Sequence, residues 1–245
     1  MFATASGARA GRAFVFVHGG LANQEASRMY VGGLAPRFRL VTPDLRAHGR
    51  SHFGGEVSWD VFADDMAALV TSLGVARVAI GGISFGCGAA VRTALRHPSL
   101  VSSVVLLHPP YGGAEHGASD TMKMLMSMMA GFGGRVKTDG LDALLPMFAA
   151  APPGIRERAP EIIKGYDAPS VISATAFMGS LAQPFARNSD LAAVRAPVLV
   201  VPGTDAQHPR DVAEVFAAHA PQCTLHDVAV PDFAAAIADF LDAHP

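Results

Sequence analysis

Ser84 stands in the run 82-GISFG-86, with a glycine two residues to either side. The preceding residues, 77-RVAIGG-82, read as a short strand, and the run that follows reads as a helix. G-x-S-x-G at a strand-to-helix bend is a nucleophile elbow. The serine there must hold a strained backbone angle, and the glycines let strand and helix approach closely enough for it. The bend lifts the hydroxyl above the sheet and puts the next amide, that of Phe85, at a helix N-terminus, where it can donate to an oxyanion. The chemistry this permits is nucleophilic attack on an acyl carbon. The competing reading is a glycine-rich strand–helix contact with an idle serine. A serine hydroxyl is a poor nucleophile until a base takes its proton, and the usual base is a histidine oriented by an acid. The chain has ten histidines.

Other chemistries find less support. The His and Asp residues form no spaced cluster of the H-E-x-x-H kind, so no metal site is expected. The stretch 81-GGISFGCG-88 lacks the lysine of a phosphate loop and does not match a dinucleotide fingerprint. No cofactor is expected. The two cysteines, Cys87 and Cys223, are far apart and read as reduced, buried thiols.

The elements that must position Ser84 can be traced along the chain. Short apolar runs occur at 13–17, 38–42, 77–82, 101–107, 197–202 and 223–228. Each is partly β-branched and ends at Gly, Pro, His or Asp, as strands buried on both faces do. Amphipathic segments lie between them. In 58–74, Trp59, Phe62, Met66, Leu69 and Leu73 recur at helical spacing, with Ser58 as N-cap and Gly74 as stop. Segments 209–221 and 231–245 each open near a proline, as first helical turns do. Strand alternating with helix predicts an α/β fold: a doubly wound, mostly parallel sheet covered on both sides. Residues 1–108 and 197–245 form the expected core. Residues 109–196 break the rhythm and carry seven of the ten methionines. Helical patches at 120–132 and 141–151 suggest a helical cap inserted over the sheet. Its methionine stripe is either ordinary core or the lining of an apolar pocket.

The chain has 245 residues, half of them hydrophobic, and a formal net charge of −2 with no run of like charge. That balance gives no sign of a nucleic-acid or membrane-binding surface. No apolar run approaches the roughly 18 residues of a membrane span. The N-terminal stretch has no basic region before a long apolar run. The reading is a soluble, cytoplasmic chain that acts on a small molecule. Its oligomeric state is not legible.

With the elbow in place, the chain resembles the α/β-hydrolase family over nearly its whole length. Three further segments carry the resemblance. The run 15-VFVHGGLANQ-24 is similar to the family's His-Gly loop, whose amides supply the second half of the oxyanion hole. The resemblance assigns that role to Gly20 or Leu21, each donor being worth roughly 3 kcal/mol to the transition state. The run 43-PDLRAHGRS-51 is similar to a structural loop of the family, which makes His48 a scaffold residue. In 196-APVLVVPGTDAQHP-209, Asp205 falls where the family's acid sits. The resemblance also implies a strand order of 2-1-3-4-5-6 for the six runs. Ser84 and the His18 loop then flank the topological switch point, where ligands bind in open α/β sheets. Only 12 residues precede the first run, so the family's leading hairpin should be shortened or absent.

The resemblance fails at the base. In the family it lies in a loop after the last strand. Here only Ala229 and Val230 separate the run 223–228 from Pro231, so that loop reads as deleted. Four other histidines compete. His226, at the end of the last strand beside Asp205, is the first choice. His108 ends the fourth strand and is expected near Ser84, in contact with serine or substrate. His208, three residues after Asp205, is expected in the pocket or at the start of a helix. His18 belongs to the oxyanion loop as scaffold.

Two functions follow. The first is a serine acyl hydrolase acting on a small or medium apolar ester, lactone or thioester, with Ser84 as nucleophile, Asp205 as acid, His226 as base and an oxyanion hole at Gly20, Leu21 and Phe85. The second is a non-hydrolytic protein on the same scaffold: a ligand-binding protein, cyclase, lyase or isomerase that has lost the usual base.

Overall fold

The apolar runs become the strands of one seven-stranded sheet. The computed structural model describes residues 1–8, 10–149, 153–227 and 233–244. In chain order the strands are β1 (Ala3–Gly7), β2 (Ala13–Val17), β3 (Arg39–Pro43), β4 (Val78–Ile83), β5 (Val101–Leu107), β6 (Val198–Val201) and β7 (Cys223–Leu225). They lie in the order β1-β3-β2-β4-β5-β6-β7. The six expected strands therefore follow the order the resemblance implied, and every pair among them is parallel. The leading edge is short, as expected: in place of a hairpin it carries one strand, β1, which pairs antiparallel to β3 and has no counterpart among the six runs.

Side chains alternate across the sheet. Val15, Val17, Val41, Ile80, Val104, Leu106 and Val200 enter one hydrophobic cluster. Phe14, Phe16, Leu40, Val105, Leu107 and Val201 enter the other. Both faces are buried, which is why the strands read as continuous apolar runs rather than alternating ones. Helices α1 (Gln24–Val31) and α10 (Phe233–Ala243) cover the second cluster through Val31, Phe233, Ile237 and Leu241. Helices α2 (Trp59–Ser72), α3 (Phe85–Arg96) and α9 (Arg210–His219) cover the first through Trp59, Phe62, Ala89, Val212 and Phe216. Ser58 caps α2, its hydroxyl accepting from the Val61 amide at 3.2 Å.

Between β5 and β6 the described residues hold no strand. They form α4 (Gly113–His116), α5 (Asp120–Asp139), α6 (Pro153–Glu157), α7 (Ala159–Ile163) and α8 (Ala168–Gly179). The patch expected as a helix at 141–151 is a 3₁₀ segment, Leu141–Phe148. Pro146 within it lacks an amide hydrogen and cannot continue an α-helix. Helix α8 is tied to the core by side-chain bonds. The Phe53 amide donates to Ser170 Oγ at 2.7 Å and the Gly55 amide to Ser173 Oγ at 2.9 Å. Just beyond it, Trp59 Nε1 donates to the Ala182 carbonyl at 2.9 Å. Residues 228–231, where the last strand was expected to end and the final helix to start, and residues 150 and 151 of the second patch, lie outside the described residues.

Candidate active site

Ser84 sits between β4 and α3 with φ 53° and ψ −121°. A positive φ is unfavourable for a residue with a Cβ, and such strain, of order 1–3 kcal/mol, persists only where the surroundings enforce it. The surroundings here are backbone. A Cβ on Gly82 would lie 2.3 Å from the Gly86 carbonyl carbon, and one on Gly86 would lie 2.4 Å from the Val17 oxygen and 2.6 Å from the His18 oxygen. Strand and helix therefore meet only with glycine at both positions, as the spacing of the motif predicts. The Ser84 amide donates to the Leu107 carbonyl at 2.9 Å, so the sheet ladder runs up to the bend. Phe85, as first residue of α3, has an amide without an intrahelical acceptor.

The His-Gly loop crosses the top of the elbow. A Cβ on Gly19 would lie 3.7 Å from that of Ser84. Residues 19–22 form a tight turn, closed by the Ala22 amide on the Gly19 carbonyl at 3.2 Å. Leu21 in that turn has φ 52°. The amides of Gly20, Leu21 and Phe85 donate to no acceptor among the described residues. His18 is scaffold. Its Nδ1 donates to the Gly19 carbonyl at 2.7 Å and its Nε2 accepts from the Leu45 amide at 3.0 Å, which fixes a neutral tautomer. Burial lowers its pKa to about 4, against a smaller opposing effect of the Gly19 carbonyl. His48 is equally buried, and burial together with the neighbouring His18 lowers it to about 3. Its Nδ1 donates to the Arg46 carbonyl at 3.0 Å.

The histidine within hydrogen-bond reach of Ser84 is His208. Its Nε2 lies 2.8 Å from Ser84 Oγ, and its Nδ1 lies 3.0 Å and 3.1 Å from the two Asp205 carboxylate oxygens. Asp205 and His208 thus come from one loop between β6 and α9. Asp205 shapes that loop, accepting at Oδ1 from the Gln207 amide at 2.8 Å and from the His208 amide at 3.0 Å. Burial by itself would raise the Asp205 carboxyl. The His208 ring and the two amides outweigh it and hold the carboxyl below its ordinary value. Gly203 makes the fold-back possible, since a Cβ there would lie 2.3 Å from both His208 Cβ and its carbonyl oxygen.

His226, the first choice from sequence, stands elsewhere. Its amide extends the β7 ladder to the Val200 carbonyl at 2.9 Å, and its ring has no hydrogen bond to Ser84 or Asp205 among the described residues. The neighbouring Asp227 pairs with Arg210, at 2.5 Å and 3.0 Å. His108 flanks the site rather than lining it. Its φ is 51°, its ring centroid lies 6.0 Å from that of His208, and its edge packs on Phe233 at 5.4 Å. Burial and the adjacent His208 both lower its pKa.

Above Ser84 lies a cavity of about 410 Å³, floored by Gly20, Ser84, Phe85 and His208. Its walls include Met122, Met126, Met129, Met147, Met178 and Phe132. The methionine stripe is both core and lining, because Met122, Met126 and Met178 are buried in the main cluster as well. Among the described residues no group of three or more His, Cys, Asp or Glu side chains could hold a metal. No described helix is long and apolar enough to cross a membrane.

A sequence model for the alpha/beta hydrolase fold matches residues 12–151, more than half of the chain. The chain belongs to the alpha/beta hydrolase family. An uncharacterized protein of Mycobacterium tuberculosis is 34% identical over 101 residues, which cover 41% of this chain. This alpha/beta hydrolase therefore spans 30% of the length of that curated relative. Among solved structures, a thermophilic esterase from Thermogutta terrifontis superposes with a TM-score of 0.78 at 22% identity, over 100% of this chain and 94% of that one. An enol-lactonase from Burkholderia xenovorans LB400 gives 0.76 at 18% identity, over 98% and 96%. At these identities the likeness speaks to the fold.

Proposed function

We propose that this alpha/beta hydrolase is a serine acyl hydrolase acting on a small or medium apolar ester, lactone or thioester, with residues 109–196 serving as its cap. The observation that carries the reading is the continuous chain Ser84 Oγ–His208 Nε2, His208 Nδ1–Asp205, at 2.8 Å and 3.0 Å. Ser84 Oγ attacks the acyl carbon while His208 Nε2 takes its proton. Asp205 holds the Nδ1 proton and stabilises the imidazolium that results. The amides of Phe85 and Leu21, with Gly20 beside them, receive the negative oxygen of the tetrahedral intermediate. His208 then returns the proton to the leaving oxygen or sulfur. Water, activated by the same imidazole, releases the acyl group from Ser84.

The cavity supports an apolar acyl or ring system. Six of its lining residues are methionine, unbranched and adaptable, and its volume of about 410 Å³ falls in the small-ligand range. The names of the structural neighbours, an esterase and an enol-lactonase, agree with acyl chemistry. The non-hydrolytic alternative drew on a missing base, and His208 takes that support away.

A fluorophosphonate probe should label Ser84, and p-nitrophenyl butyrate should be hydrolysed at least about 10³-fold faster by the wild type than by Ser84→Ala. Equal rates in the two proteins, or a folded wild type that the probe leaves untouched, would overturn the serine mechanism.

A further inference from the structure

The apolar wall above Ser84 is a row with a direction. On α5, Met122, Leu125, Met126, Met128, Met129 and Phe132 all line the cavity. Recurrence at three and four residues puts them along one side of the helix, and ten residues of helix measure about 15 Å. That is too long for a compact chamber of about 410 Å³, so the cavity is a slot along α5.

Three contacts fix how the slot lies over the serine. A Cβ on Gly179 would stand 2.7 Å from that of Ala130 and 3.5 Å from the Met126 carbonyl oxygen, so the end of α8 crosses α5 at 126–130. Met178, the residue before, reaches Gly20, its Cε 2.6 Å from where a Cβ would stand, and Gly19 abuts Ser84. The middle of the row thus lies over the nucleophile. The start of α5 lies on the His208 side. His116, four residues ahead of it, holds its Nε2 3.6 Å from the Asp211 carboxylate, and Asp211 is three residues past His208. At the far end, buried Phe132 packs with Val136 and Leu144 in a cluster confined to the segment between β5 and β6. Met129 and Met147 pack against both that cluster and the main one.

We propose that the substrate is an open-chain ester or thioester whose linear acyl group, about eight carbons long, lies along α5 from Ser84 to Phe132, while the leaving group departs on the other side, past Gln207. The orientation rests on Ser84 as nucleophile and His208 as base, as proposed above. His208 returns its proton to the leaving atom, so that atom lies on the His208 side of the acyl carbon. The arm of Met129 and Phe132 is left for the acyl chain. From Met126 to Phe132 the helix advances about 9 Å, and a zigzag carbon chain advances about 1.3 Å per bond, so about seven bonds fit beyond the carbonyl carbon. A small lactone, whose acyl and leaving atoms share one ring, would leave that arm empty. The leaving side opens among residues 204–207, all exposed, and so sets little limit on the alcohol or thiol.

Ethyl octanoate and octyl acetate are isomers that differ in which half carries the chain. The first should show a kcat/KM at least about tenfold higher. Equal values, or octyl acetate ahead, would overturn the orientation. With p-nitrophenyl esters of linear acids, each added methylene should raise kcat/KM by up to about fourfold, to a maximum near eight carbons. A maximum at two to four carbons, or a rise continuing through twelve, would overturn the assignment of the arm. Met129→Trp shortens the arm and should lower the octanoate-to-acetate ratio at least about tenfold, with the ratio of octyl acetate to ethyl acetate within about twofold of wild type. Met129→Ala, a milder change, should instead move the maximum to longer acids. A Met129 variant that moves the alcohol ratio and not the acyl ratio would refute the proposal. A wild type that hydrolyses no ester of any length overturns the serine hydrolase reading itself, whereas hydrolysis with the wrong preference overturns this inference alone.

Discussion

The two halves of the candidate site are made differently. The nucleophile half is backbone: the bend at Ser84, the turn at Gly20 and Leu21, and an amide at the start of α3. The bend at Ser84 is enforced by main-chain atoms, which lie 2.3–2.6 Å from where a Cβ on Gly82 or Gly86 would stand. The acid–base half is a six-residue loop, 203–208. It is built from side chains, and the Asp205 carboxylate is 58% exposed while the His208 ring is 15% exposed. The contrast teaches what can move during divergence. A backbone device is fixed by the packing of strands and helices around it. A base needs only an imidazole within reach of the serine and an acid behind it, so any loop at the carboxyl end of the sheet can supply one. Here Asp205 and His208 stand three positions apart in one turn.

The sharpest way to break this comparison is at the two competing histidines. His208→Ala should lower kcat/KM for p-nitrophenyl butyrate by about 10²–10⁴, the usual contribution of a general base. His226→Ala should change it by less than about twofold. His226 is exposed and His208 faces the cavity outside the hydrophobic clusters, so circular dichroism and melting temperature should be preserved in both variants. A reversed ranking would return the base to the end of β7 and remove the meaning of the 203–208 loop.

A pair of glycine substitutions separates the halves by kind of damage. In Gly86→Ala the new Cβ meets the Val17 and His18 carbonyl oxygens, which belong to a buried strand end and cannot yield. Overpacking of this sort costs about 1–3 kcal/mol or more, which is roughly 3–10 °C in Tm for a chain of this size. Stability and activity should fall together. In Gly203→Ala the atoms nearest the new Cβ belong to His208, in a loop whose residues 204–207 face solvent. The loop can shift, so Tm should move by less than about 2 °C while kcat/KM drops about tenfold. Parallel behaviour of the two variants would erase the distinction.

The nucleophile half was legible because close packing leaves a mark on residue type. Gly82 and Gly86 are there for want of space, and a motif reader sees them. The strands were legible for a similar reason: two-sided burial demands apolar residues at every position, from 13-AFVFV-17 to the Val198–Val201 strand. The base was not legible, because nothing in local sequence tells a side chain which way to face. The signal that existed was the spacing in 203-GTDAQH-208. A carboxylate that accepts from the amides two and three residues on folds the chain back over itself, and brings the third residue's ring onto the acid. Placing His208 in the pocket or at the start of helix α9, behind His226 as candidate base, left that turn out of account. Strand β1 was missed because Ala3–Gly7 is only half-buried, as an edge strand is. Tyr166, whose hydroxyl donates to the Leu21 carbonyl, had no signal at all: its partner is 145 residues away.

Acid should expose the contrast most gently. His18 and His48 support the nucleophile half and are held neutral, at about 4 and about 3, chiefly by burial. In the unfolded chain each would titrate near 6.5. Between those values the unfolded state binds more protons than the native one, so stability is full above about pH 6.5 and declines as pH falls toward 4. At pH 5.5 each histidine should account for a loss of about 1 kcal/mol relative to pH 7.5. The depressed carboxyl of Asp205 adds a further loss only below the ordinary carboxylate range. Urea unfolding at the two pH values measures the slope. His48→Gln removes one titrating group and should roughly halve the decline between them, even if its absolute stability is lower. An unchanged slope in His48→Gln would mean that the buried pair is not what acid attacks, and that the rigidity ascribed to the nucleophile half comes from elsewhere in the sheet.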